Sequence, residues 1–235
     1  MARIKNQFLG NVSGFIGPVV YKMRGNTQYI ASRPNSFIPG TDPASIFRRD
    51  QCAFIGKLSS KIYSIDIIKK IWCSTLKNQS YIYQKIWSEN YHAANCNDLD
   101  KPPKLSPAAD FIVSNSSFLF EKKSFLFKSD PLGASTPINP AKEKFILPAG
   151  VIVLKDPKSP ASPPMEIIAF IGKNENLDLN SELNINIDIP APADVKYIHY
   201  KFRKCYLILI TLDENENPVQ TSECLFNSSG SGIKK

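Results

Sequence analysis

Four glycines, Gly10, Gly14, Gly17 and Gly25, punctuate the stretch GNVSGFIGPVVYKMRGNTQYIASRP at residues 10–34. Glycine-rich turns cradle phosphate when a strand leads in, a Lys-Ser or Lys-Thr pair follows, and a helix N-terminus points its N–H groups at the anion. Here Gly17 is followed by Pro18 and strand-forming residues, and no such pair stands at the required place. Nucleotide binding is therefore not supported. The two histidines, His92 and His199, lie far apart, and no G-x-S-x-G elbow exists to present a nucleophile. The five cysteines, Cys52, Cys73, Cys96, Cys205 and Cys224, are scattered, with no C-x-x-C pair of the kind that zinc sites use. They read as buried or half-buried thiols in a reducing compartment. Acidic residues gather in turns such as LDENENP (212–218), where spacing alone pairs nothing for acid–base work. No catalytic residue, metal site or cofactor is expected, and the chain reads as a non-enzyme.

What the 10–34 stretch does carry is contact chemistry. It has no acidic residue, and Lys22, Arg24 and Arg33 interleave with Phe15, Tyr21 and Tyr29. The basicity of the whole chain, +8, lies in its N-terminal part: residues 1–90 hold 13 Lys/Arg against 4 Asp/Glu, and residues 91–235 hold 16 against 17. Two readings follow. A terminal ribbon with small residues allows close backbone approach and suits strand addition to another subunit. Alternatively, a basic two-stranded ribbon enters a nucleic-acid groove, held by salt-sensitive phosphate contacts. The contact element on either reading is Gly10, Gly14, Gly17, Tyr21, Arg24, Gly25, Tyr29 and Arg33.

The elements that must position this ribbon follow from periodicity. VSGFIGPVVYKM (12–23) and TQYIASR (27–33) read as two strands with Arg24-Gly25-Asn26 between them, a hairpin signal. Pro18 lacks a backbone donor and predicts a sheet edge or a bulge. Asp42 followed by Pro43 marks a helix start, with Phe47, Phe54, Leu58 and Ile62 on one apolar face. Ser64 is the expected cap of a second helix bearing Ile67, Ile68, Ile71 and Trp72. SYIYQKIWSENYHAAN (80–95) forms a third, with Ile82, Ile86 and Trp87 buried. The proline-rich NDLDKPPKLSP (97–107) is the boundary beyond which the period turns from helical to alternating. Short strand-like runs then alternate with turn-rich loops; ELNINIDI is the plainest, with Leu183, Ile185, Ile187 and Ile189 on one face.

The expected architecture is α+β: a glycine-rich basic β-hairpin arm (1–40), a short helical bundle (41–97), a proline-rich connection (98–107), an Ig-like antiparallel β-sandwich (108–227) and a tail (228–235). No eighteen-residue apolar window and no secretory leader appear, so the expected setting is a reducing compartment or a virus particle. The opening residues also resemble a family of small uncharacterised proteins frequent in Bacteroidota. That family's pattern is G-x-x-G-x-h-G-x-V-V, then R-G, then R-P. Gly14, Gly17, Val19, Val20, Arg24, Gly25, Arg33 and Pro34 fit it, and IWSENYHAAN matches its helical segment loosely. The resemblance implies an architecture and supplies no catalytic residue. The function expected is that of a structural or assembly subunit, associating with itself or with a larger particle such as a virion or filament. Nucleic-acid binding is the alternative.

Overall fold

Two runs, FILPAGVIVL (145–154) and KCYLILITL (204–212), are apolar at nearly every position instead of every second one. A strand presents alternate residues to opposite faces, so such runs demand that both faces be covered. The computed structural model describes residues 2–3, 14–16, 19–24, 27–32, 39–75, 81–121, 124–133, 136–190 and 199–227, and it meets that demand.

The chain divides into two compact units, 1–46 and 47–235. The first holds a four-stranded antiparallel sheet of β1 (Ala2–Arg3), β2 (Gly14–Ile16), β3 (Val19–Arg24) and β4 (Thr27–Ser32), in the order β1-β4-β3-β2. The stretch 12–23 is thus two strands and not one: Ile16 pairs with Val19, and β2 doubles back against β3 at the sheet edge. Pro18, expected to mark a sheet edge or a bulge, lies outside the described residues.

The second unit is mixed α+β. Helix α1 (Pro43–Tyr63) starts where Asp42 caps it, its Oδ2 accepting the Ser45 N–H at 2.9 Å. Phe54, Leu58 and Ile62 of α1 are buried, but Phe47, expected on the same face, is exposed. Ser64 also departs from expectation: its hydroxyl donates to the Lys61 carbonyl at 2.7 Å and closes α1. Helix α2 (Asp66–Ser74) begins at Ile65 with no side-chain cap. Helix α3 (Ile82–Ala93) buries Ile82, Ile86 and Asn90, while Trp87 is half-buried.

Then follow β5 (Ser117–Phe120), β6 (Ser124–Ser129), β7 (Phe145–Pro157), β8 (Met165–Ile171), β9 (Glu175–Asn176), β10 (Leu183–Asp188), β11 (Tyr200–Leu212), β12 (Pro218–Thr221) and β13 (Leu225–Phe226). One antiparallel sheet runs β12-β11-β7-β8, with β9 also on β7 and β13 also on β11; a second runs β10-β6-β5. The final run, 219–226, is split into β12 and β13. Between them the Ser222 hydroxyl, in place of a backbone oxygen, accepts the Leu209 N–H at 2.9 Å.

Three layers result. Val151, Val153, Tyr206, Ile208 and Ile210 face the three helices in one core. Ile152, Leu154, Cys205, Leu207 and Leu209 face the β10-β6-β5 sheet in the other. That second core is aromatic: Phe125 meets Phe170 edge-on, ring centres 5.1 Å apart, and Phe118, Phe120 and Phe127 surround it. Since β10 has one covered face, its burial alternates.

Gly150 of β7 lies tight against β11. A Cβ there would stand 2.0 Å from the Tyr206 carbonyl oxygen and 2.9 Å from the Phe170 ring. No side chain but hydrogen fits.

The proline-rich segment after α3 is pinned at several points. Gln51 Nε2 donates to the Ala94 carbonyl at 2.7 Å, and its Oε1 accepts the Cys96 N–H at 2.9 Å. Asn90 clasps Lys104 from both sides, donating to its carbonyl at 3.0 Å and accepting its N–H at 2.9 Å. The Trp72 indole donates to the Leu105 carbonyl at 2.8 Å, and the Tyr206 hydroxyl to that of Leu99 at 2.6 Å. Lys204, fully buried, reaches Asp100 and lies over the Phe226 ring. On the surface Glu89 takes both Lys85 (2.7 Å) and Lys104 (2.8 Å), tying α3 to the same segment.

Two predictions follow from this packing. Gly150→Ala destabilises the protein by about 3 kcal/mol through overpacking, read as a lower urea midpoint; an unchanged midpoint would refute the close approach. The second concerns Glu89, whose carboxyl is held down to about 2, from 4.5, chiefly by the Lys104 hydrogen bond and then by Lys85. A depressed folded pKa gives stability that is present above 4.5 and lost as pH falls toward 2. Glu89→Gln is therefore less stable than wild type at pH 7, by no more than ~1 kcal/mol for so open a pair. The two urea curves should converge near pH 2.

Candidate functional site

The residues expected to form a contact element divide by position. Gly14 of β2 pairs with Tyr21 of β3, and Tyr21 pairs in turn with Ile30 of β4. Tyr29 stands opposite Lys22, and Arg24 opposite Thr27. These pairings place Gly14, Tyr21, Arg24 and Tyr29 in one sheet. Gly10, Gly17, Gly25 and Arg33 lie outside the described residues. The β-branched and aromatic side chains Val19, Val20, Tyr21, Tyr29 and Ile30 are half-buried, and Lys22 is exposed. Such residues stabilise strands by packing, and a sheet whose apolar side chains stay part-covered retains surface for further burial.

The residues able to do chemistry are dispersed. His92 closes α3 and meets the Tyr91 ring edge-on at 5.6 Å. His199 gives its carbonyl to the Lys158 N–H at 2.8 Å. Among the described residues no group of three or more His, Cys, Asp or Glu is placed to hold a metal ion. All five cysteines are unbridged; Cys96 and Cys205 are buried, Cys73 and Cys224 half-buried, and Cys52, against expectation, is exposed. Burial pushes the Cys96 thiol up, with the Asp50 charge adding to it, so Cys96 stays protonated at neutral pH and is a poor nucleophile. Burial likewise pushes up Cys205 and Cys224.

A concavity that sequence reasoning missed lies between α1 and β8. A cavity of about 430 Å³ is lined by Gly56, Lys57, Ser60 and Lys61 from the helix and by Pro163, Met165, Glu166 and Ile167 from the strand and its approach. A second hollow of about 270 Å³ shares Lys57 and Met165 with it and continues to Cys96, Asn97 and Lys155. The pinned segment after α3 thus supplies one end of a groove. A third hollow, again about 270 Å³, adjoins at Asn97 and Lys155 and is bordered by Asp98, Asp100 and Asp156. Asp156 adopts a left-handed backbone, φ 57°. Gly56 of the groove's helical wall stands inside α1, where glycine disfavours helix by about 1 kcal/mol relative to alanine.

A search of protein-family models and of curated proteins finds no match to this chain. The functional reading therefore rests on surfaces and chemistry.

Nothing lies within 4 Å of a Cβ built on Gly56. Gly56→Ala should accordingly raise stability by ~0.5–1 kcal/mol in urea denaturation, in contrast to Gly150→Ala. A loss of stability would show that the clearance over Gly56 is filled.

Proposed function

We propose that the protein is a non-enzymatic structural subunit that assembles with copies of itself or with a larger particle, using the ribbon at residues 10–34 as its contact element. The observation that carries this reading is the half-covered apolar sheet of the first unit. Val19, Val20, Tyr21, Tyr29 and Ile30 are strand-forming residues, and none is fully buried. A β3–β4 hairpin of this composition gains stability from added burial, and a neighbouring chain supplies it at about 25 cal/mol per Å² of apolar surface. Dispersed histidines, and the burial that pushes the Cys96, Cys205 and Cys224 thiols up, accord with a role that makes and breaks no covalent bonds. The two facing antiparallel sheets support an Ig-like sandwich as the rigid body, here with helices laid over one of its outer faces.

Basic residues in the ribbon sustain nucleic-acid binding as the competing reading, with Lys22 exposed on β3. Deletion of residues 10–34 decides the matter. On the assembly reading the truncated chain keeps its cooperative unfolding transition but sediments as a monomer where the full chain does not. Retained assembly after deletion would overturn the proposal.

A further inference from the structure

Strand β8 ends its sheet: among the described residues it has β7 as its one partner. The Gly172 N–H donates to the Pro148 carbonyl at 2.8 Å, and the register continues as Phe170 with Gly150, Ile168 with Ile152 and Glu166 with Leu154. Antiparallel pairing alternates, so these residues exchange hydrogen bonds with β7. Met165, Ile167, Ala169 and Ile171 turn their N–H and C=O groups outward. An edge of strongly β-forming residues with open backbone groups is a template for one more strand.

The chemistry of that strand is set by α1. Met165, Ile167 and Ala169 pack on the helix side of the sheet, so α1 overlooks the open edge. Lys57 and Lys61, one helical turn apart, line the cavity beside it. Both are exposed, and neither forms an ion pair with another described residue. Glu166 lines the same cavity, so its walls carry two lysines against one carboxylate. Gly56 leaves clearance at the helix wall that any larger residue would narrow.

We infer that the groove between α1 and β8 binds an extended acidic segment of a partner protein. The segment adds as a strand to β8 and turns alternate carboxylates toward Lys57 and Lys61. The chain's own ribbon does not suit this groove, since residues 10–34 hold basic residues and no acidic one. This site is independent of the ribbon-mediated assembly proposed above.

The probe is a capped heptapeptide alternating valine and glutamate, titrated into the full chain by calorimetry. A valine–lysine peptide of the same length is the control. The glutamate peptide should bind and slow hydrogen exchange at Ile167 and Ala169, while the lysine peptide should not. Lys57→Glu with Lys61→Glu, both exposed positions, should weaken binding at least about tenfold, as expected for two surface pairs, and shift the preference to the lysine peptide. Gly56→Trp should block binding without unfolding the chain. Absent or equal binding of the two peptides, or affinity indifferent to the lysine reversal, overturns the inference. So does protection of Ile167 and Ala169 by self-association before any peptide is added.

Discussion

The pairing of β7 with β11 is the constraint on which everything else depends. Twelve residue pairs, from Tyr200 with Pro157 to Leu212 with Phe145, join two strands that are buried on both faces. Such a pair has no solvent face to offer, so it is stable only if helices cover one side and a second sheet the other. The hydrophobic gain from burying both sides comes with a tight spacing, visible where Gly150 passes the Tyr206 carbonyl. The three helices pack on one half of the alternating side chains and the β10-β6-β5 sheet on the other.

Polar groups then fix what hydrophobic burial leaves free. The segment after α3 has prolines and few backbone partners of its own, yet Gln51, Asn90, Trp72 and Tyr206 each meet its backbone N–H or C=O groups. Burial drives the Tyr206 phenol far above its ordinary pKa, so it remains a donor to Leu99 at any working pH. Buried amides left unpaired would cost far more than these bonds contribute, which holds the segment in one course. That course forms the end wall of the groove beside α1.

Sequence patterns exposed some of this and hid the rest for identifiable reasons. ELNINIDI alternates because β10 has one wet face, and Asp42-Pro43 marks a helix start because capping is local. By contrast, GVIVL and YLILI lack alternation because layers on both sides erase it, so the helical layer lying over the sheet could not be read from them. Phe47 obeyed the helical period but sits beyond the reach of the core, and Ser64 chose the C-terminus of α1 over the N-terminus of α2. The α1–β8 groove depends on which strand ends the sheet, a long-range fact no local pattern encodes. Of the expected contact residues, Gly14, Tyr21, Arg24 and Tyr29 fall in one antiparallel sheet.

The assembly role proposed above needs a rigid body and an adhesive edge, for which the doubly covered sheet and the half-buried apolar residues of β3 and β4 are the candidates. The most direct test is the mass of the full chain by light scattering, over a range of concentrations at low and at high salt. Assembly through apolar and main-chain contacts predicts a mass well above 26.3 kDa that persists in high salt. A monomer under every condition would contradict it.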